Sequence, residues 1–217
     1  MPPSTATPDH RQTVLILVAA LAAIAGLLAA VLLRAPASRA PIESGTLLQA
    51  PRALPDFALL DENAQPFTNR QLEGRWTLIF PGFTYCPDVC PTTLGLLKNV
   101  EAQLGDKAQK LQIVLFSVDP ERDTPETLNR YVHHFSPRFK GATTAEPALK
   151  TLAQALGVAY VKVPGESPVD GADNYTMDHS AALVLINPRG ELAGYFTPPL
   201  RVDSLVRDLA RILEQPS

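Results

Sequence analysis

From Val14 to Leu33 the chain reads VLILVAALAAIAGLLAAVLL, without one charged residue. At ~1.5 Å of rise per residue, a helix of about 20 residues matches a hydrocarbon core ~30 Å thick. A buried helix of a soluble domain would need a polar face, and this run has none. A cleaved signal peptide carries an apolar region of only about 7 to 15 residues, so the length favours an uncleaved membrane-spanning helix. Ala35-Pro36-Ala37 nevertheless supplies small residues of the kind found at cleavage sites. The run divides the chain into a short tail at 1–13, an anchor at 14–33, an Ala/Pro-rich tether at 34–50 and one globular domain at 51–217. Arg11 precedes the helix while Arg34 and Arg39 follow it, so flanking positive charge does not set the orientation.

The formal charge of -3 lacks the basic excess that phosphate binding requires, which argues against a nucleic-acid partner. Within the domain, hydrophobic periodicity gives an alternation of strands and helices. Phe57 to Leu60 and Pro66 to Thr68 flank a polar turn and predict a hairpin. Trp76 to Phe80 and Leu111 to Val118 are short apolar runs of the buried-strand kind. Pro91 to Leu104 has helical spacing with Gly105 as a stop, and Thr124-Pro125 predicts a capped helix to about Phe135. A further helix from Ala145 to Leu156 closes at Gly157. Val158 to Val163 reads as a strand, Pro164 to Asp178 as a polar loop, and Ala181 to Ile186 as a strand. A hairpin into Glu191 to Phe196 and a helix over Val202 to Leu213 complete the order. This is the order of an α/β thioredoxin-like sandwich, here carrying an N-terminal transmembrane helix. The turns after Trp76–Phe80 and Leu111–Val118 both lie at carboxyl ends of parallel strands, where such folds bind ligands.

The first of these turns holds both cysteines of the chain, in Phe83-Thr84-Tyr85-Cys86-Pro87-Asp88-Val89-Cys90-Pro91. With Cys86 at a helix start and Cys90 in the first turn, the i, i+4 spacing turns both sulfurs to one face. A structural disulfide across so small a loop removes little unfolded-state entropy and makes a poor staple. A reactive or metal-binding pair is the better reading of the residues, with helix-terminal N–H groups favouring thiolates. His179, in Met177-Asp178-His179-Ser180, sits ahead of a strand. Spacing alone does not select it over His10, His133 or His134.

Three segments in this order resemble the motifs of the Sco/SenC family: Thr84-Tyr85-Cys86-Pro87-Asp88-Val89-Cys90-Pro91, then Ser117-Val118-Asp119-Pro120-Glu121-Arg122-Asp123-Thr124-Pro125, then Asp178-His179-Ser180. The resemblance covers the domain and the anchor. It implies a thioredoxin-like, membrane-anchored copper chaperone that assembles the copper centre of cytochrome c oxidase. Carried over residue by residue, it implies that Cys86, Cys90 and His179 hold one copper ion, as Cu(I) with Cu(II) as the second oxidation state in play. Two soft thiolates suit Cu(I), whereas a structural zinc site would want four ligands.

Asp119 and Asp178 are candidates for supporting the ligands, equally readable as turn caps. Met177 reads as packing. Pro81 departs from the family pattern, in which an aromatic or aliphatic residue is commoner, and is expected to end strand pairing. The implied partners are cytochrome c oxidase subunit II as acceptor and a further copper donor protein. The implied location is the inner membrane, single-pass, with the domain on the periplasmic side. A carrier is not an enzyme. The alternative is a thiol-disulfide oxidoreductase that uses Cys86 and Cys90 to keep the acceptor's cysteines reduced, although three residues between the thiols, instead of two, depart from the ordinary thioredoxin motif.

Overall fold

A computed structural model describes residues 10–33, 42–164 and 175–214. The chain forms two compact units, Met1–Pro41 and Ile42–Ser217. In the first, helix α1 (His10–Leu33) contains a window, Arg11–Ala29, long and apolar enough to cross a membrane. A signal sequence meets the same criteria of length and composition. The outer part of the N-terminal tail and residues 34–41 of the expected tether lie outside the described residues.

The second unit is built on an eight-stranded sheet. Its elements are β1 (Gly45–Ala53), β2 (Ala58–Asp61), β3 (Pro66–Thr68), β4 (Trp76–Gly82), α2 (Val89–Leu104), β5 (Leu111–Ser117), α3 (Pro125–Phe135), β6 (Lys140–Thr143), α4 (Ala148–Leu156), β7 (Tyr160–Pro164), β8 (Tyr175–His179), β9 (Leu183–Ile186), β10 (Glu191–Phe196) and α5 (Val202–Ile212). The order across the sheet is β1-β10-β9-β4-β5-β6-β2-β3, and β7 pairs with β8 in a separate hairpin. Strands β4, β5 and β6 are parallel, while β9 runs antiparallel to β4.

The apolar runs in the central strands are continuous because both faces of the sheet are covered. Leu78, Phe80, Ile113, Leu115, Leu183 and Leu185 point to one side, against Leu94 and Leu97 of α2, Leu128 of α3 and Leu209 of α5. The residues between them, Ile79, Val114, Phe116, Val184 and Ile186, point to the other, against Leu149, Leu152 and Leu156 of α4. Two cores therefore share one sheet, and the period of two assigns each strand residue to one of them. The Thr124 hydroxyl accepts from the Thr127 N–H at 3.2 Å, and Pro125 takes the first turn of α3, as the sequence predicts.

Four local expectations change. Gly45–Ala53 is an edge strand paired with β10, so the unit begins at Ile42 and not at residue 51. Its positions, all exposed or half-exposed, and a register shift between Leu47 and Arg52 hide any alternation in the sequence. Pro81 does not end β4: Pro81 and Gly82 stay in register with Phe116 and Ser117. Pairing with β9 stops at Ile79, so the missing N–H falls where β4 has one neighbour only. Lys140–Thr143 is a strand too short and polar to announce itself. Tyr175–His179, expected as the end of a loop, is a strand because β7 offers it a partner; residues 165–174 between them lie outside the described residues.

The entry of β1 depends on a buried carboxylate. Asp208 of α5 is fully buried and accepts from the N–H groups of Glu43 (2.9 Å) and Ser44 (2.8 Å) and from the Ser44 hydroxyl (2.6 Å). Arg207 reinforces the junction through Glu43 at 2.8 Å. Asp208→Ala leaves two backbone donors unpaired and should lower unfolding free energy by about 2–3 kcal/mol, measured by urea denaturation.

Candidate metal centre

Because β4 and β5 are parallel neighbours in register, their carboxyl ends deliver two loops to one place. The first runs from Phe83 into α2. The second, Asp119–Thr124, leads into α3. A buried carboxylate between them, Asp123, ties them together. It accepts from the Thr84 N–H (3.1 Å) and hydroxyl (2.6 Å) in the first loop and from the Ser117 hydroxyl (2.6 Å) at the end of β5. Burial pushes the Asp123 carboxyl up, against the lowering by Ser117 and Thr84.

Cys90 lies in the first turn of α2 with its side chain fully buried, and Cys86 is 8% exposed. Both thiols are free. The Cys90 N–H, one of the donors left over at a helix start, points at Cys86 Sγ at 3.4 Å. Gly82 makes room for the second sulfur: a β-carbon there would stand 3.1 Å from Cys90 Sγ and 3.0 Å from Leu115 Cδ1. Burial pushes the Cys90 thiol far above its ordinary range, which a hydrogen bond from the Phe83 backbone only partly opposes. Without a metal, Cys90 is a neutral thiol.

His179 arrives from the hairpin at the end of β8. Its Nε2 stands 3.7 Å from Cys90 Sγ. Its Nδ1 lies 3.0 Å from the Ser180 carbonyl oxygen. A carbonyl only accepts, so Nδ1 carries the proton and the Nε2 lone pair faces the sulfur. Phe80 and Phe83 pack against the ring in T-shaped arrangements, with centroids 6.4 and 5.9 Å away. The hairpin is pinned next to it by the Ser180 N–H to the Ala159 carbonyl (2.9 Å) and the Ala159 N–H to the Ser180 hydroxyl (2.9 Å).

The structure thus joins Cys90 and His179 directly, with Cys86 on the N–H of Cys90. Among the described residues no three His, Cys, Asp or Glu side chains already enclose a metal-sized space. Two sulfurs and one imidazole nitrogen in an apolar surround are donors of the kind that suit a soft cation. Asp119 is 2% exposed and, among the described residues, hydrogen-bonds neither the cysteines nor His179; it binds Arg122 Nε at 2.5 Å and the Tyr175 hydroxyl at 2.7 Å. Asp178 is exposed, and the Ser180 carbonyl, not Asp178, holds the His179 ring. Met177 is buried in the core beside α2, as a packing residue.

The SCO1/SenC family model matches residues 46–214. The chain belongs to the SCO1/SenC family. A Stutzerimonas stutzeri protein provisionally named copper-binding is 40% identical over 169 residues, covering 77% of this chain and 80% of that protein. The copper-bound structure of Bradyrhizobium japonicum ScoI is 34% identical, with a TM-score of 0.65, and covers 73% of this chain and 98% of that one. The apo Sco1 solution structure from Thermus thermophilus is 36% identical, with a TM-score of 0.68 over 81% of this chain and 99% of that one. The thioredoxin-like fold expected of a SCO1/SenC chain is therefore the fold it has.

Asp123, Arg122 and Gly82 support the site although the sequence alone assigns them no role. A carboxylate immediately before the Thr124 cap, in a segment rich in charge beside an apolar strand, was a usable signal for Asp123. Gly82 gave none, because its need arises only from the sulfur opposite.

The buried, protonated Cys90 should resist alkylation. Iodoacetamide at neutral pH, followed by peptide mass spectrometry of the reduced protein, should modify Cys90 on the order of a hundredfold more slowly than a free cysteine. Its rate should rise with pH, since the reactive thiolate forms only as the raised pKa is approached.

Proposed function

We propose that this SCO1/SenC chain is a membrane-anchored copper metallochaperone. Cys86, Cys90 and His179 are its copper ligands, and the copper centre of cytochrome c oxidase subunit II is its destination. The Sco family is one of cytochrome c oxidase assembly proteins. The observation that carries the reading is the approach of His179 Nε2 to Cys90 Sγ at 3.7 Å with its lone pair toward the sulfur. Two residues 89 positions apart meet there at the end of the sheet, beside the only other thiol.

Copper is cargo, so the site must bind it firmly and still release it. Thiolates and one imidazole satisfy Cu(I) with low coordination, leaving a side open to an acceptor's donors. The apolar ring of Phe80 and Phe83 limits water around the bound ion. Cys86, the more accessible thiol, is the natural point at which an incoming ligand first replaces a bond. In this reading the N-terminal helix anchors the chain in the inner membrane with the domain on the periplasmic side.

The test is an anaerobic competition between the reduced full-length protein in detergent and a chromophoric Cu(I) chelator. Wild type should take up one equivalent. His179→Ala and Cys90→Ser should each weaken binding by about tenfold or more, and equal affinity of His179→Ala and wild type would overturn the three-ligand site.

Affinity should also depend on pH, with a definite sign. The Cys90 proton must leave when the metal binds, and the raised pKa keeps that proton in place throughout the neutral range. Apparent Cu(I) affinity should therefore increase with pH, by about tenfold per unit for each proton displaced. Titrations at pH 6, 7 and 8 check this.

A further inference from the structure

Arg122 touches all three segments that carry the site and is itself no ligand. Its Nε donates to Asp119 Oδ2 at 2.5 Å, and its Nη1 donates to the Tyr175 carbonyl at 3.0 Å. The Tyr175 hydroxyl donates to the other oxygen of the same carboxylate, Asp119 Oδ1, at 2.7 Å. One guanidinium and one carboxylate therefore hold Tyr175 by backbone and side chain together. The guanidinium carbon also lies 3.7 Å from the centroid of the Tyr175 ring, 4.9 Å from that of Tyr85 and 5.8 Å from that of Phe83. Lys162 Nζ stands 3.8 Å from the Tyr175 centroid.

These contacts matter because of where the residues lie in the chain. Tyr175 opens β8 and His179 ends it. Tyr85 directly precedes Cys86, and Phe83 packs against the His179 ring in a T-shaped arrangement. Among the described residues the β7–β8 hairpin shares no backbone ladder with the main sheet. Its placement over the cysteine loop therefore depends on side chains, and Arg122 supplies the densest set of them. A guanidinium is well matched to this role, because it hydrogen-bonds in its plane and stacks through its face at the same time. With Asp119 2% and the Arg122 side chain 11% exposed, water screens the pair little. Arg122 Nη2 is buried with no hydrogen-bond partner among the described residues, a desolvation cost that a space-filling residue would not carry.

We propose that Arg122 is a positioning residue that clamps the His179 hairpin to the cysteine loop and thereby decides whether the imidazole joins the two thiols on copper. The proposal rests on the reading of Cys86, Cys90 and His179 as ligands. When the clamp is lost, the hairpin keeps its own ladder and the Ser180–Ala159 bonds, but His179 is no longer held at the sulfur. The thiols remain, and the contribution of the histidine falls away.

A double-mutant cycle on Cu(I) affinity separates this role from general structural support. Using the full-length reduced protein in detergent, the same chelator competition is run on wild type, Arg122→Leu, His179→Ala and the double variant. Arg122→Leu should weaken binding about 10- to 100-fold. Adding His179→Ala to it should weaken binding by less than about threefold further, because the imidazole is already disengaged. Arg122→Lys, which keeps the charge but not the planar fork, should not restore affinity. Should Arg122→Leu fail to fold by circular dichroism, the cycle is run with Tyr175→Phe, which keeps the ring and loses only the bond to Asp119. A His179→Ala effect of the same size in both backgrounds would overturn the clamp and leave the three-ligand site standing. No His179→Ala effect in wild type would overturn the ligand reading and the clamp with it.

Discussion

The parallel pairing of Trp76–Gly82 with Leu111–Ser117 is the constraint on which the rest of this protein depends. Parallel strands in register end at the same level, so the loops that follow them emerge side by side. The cysteine turn and the Asp119–Thr124 turn are distant in the chain and adjacent only because of that ladder. Apolar residues on both faces keep the ladder buried between α2, α3 and α5 on one side and α4 on the other. Any relaxation of its register would slide the two loops past each other and separate the donors from their supports.

On that platform the polar groups divide the work. Asp123, itself buried, binds loop to loop through half-buried Thr84 and buried Ser117. Asp119 and Arg122 bind the second loop to the hairpin through Tyr175. Each carboxylate is buried, and each is satisfied by several donors, which is the condition under which a buried charge is tolerated. The apolar residues serve the sulfur chemistry. They raise the Cys90 thiol and limit access to it, so that a metal able to displace the proton gains a dry, soft-donor environment.

The fold was legible where burial imposes period. The continuous runs of β4 and β5, the spacing Leu94, Leu97, Val100 and Leu104 in α2, and the Thr124-Pro125 cap all state their structure locally. Short and peripheral elements did not. β1 alternates poorly because it is half exposed and irregular in register, and β6 is four residues of weak pattern. β8 became a strand only through its partner β7. The pairing of Cys86 with Cys90 could be read from spacing, while His179 came from the family resemblance, since nothing in its neighbours marks it above His133 or His134. Asp178 looked like its natural support because it is adjacent, yet successive strand residues point to opposite faces, and the Ser180 carbonyl takes that role.

The sequence by itself determined the apolar helix, the alternation of strands and helices, the two thiols one helical turn apart and the soft-donor chemistry they imply. Those properties are local: they follow from hydrophobic period, cap residues and the geometry of one helical turn. Only the tertiary structure decided that His179 turns Nε2 toward Cys90, that Gly82 must lack a side chain, that Pro81 can stay within a strand, and that Arg122 joins the hairpin to the loop. Each of these depends on which atoms from distant parts of the chain occupy the same few ångströms, and that is settled by sheet register and core packing together.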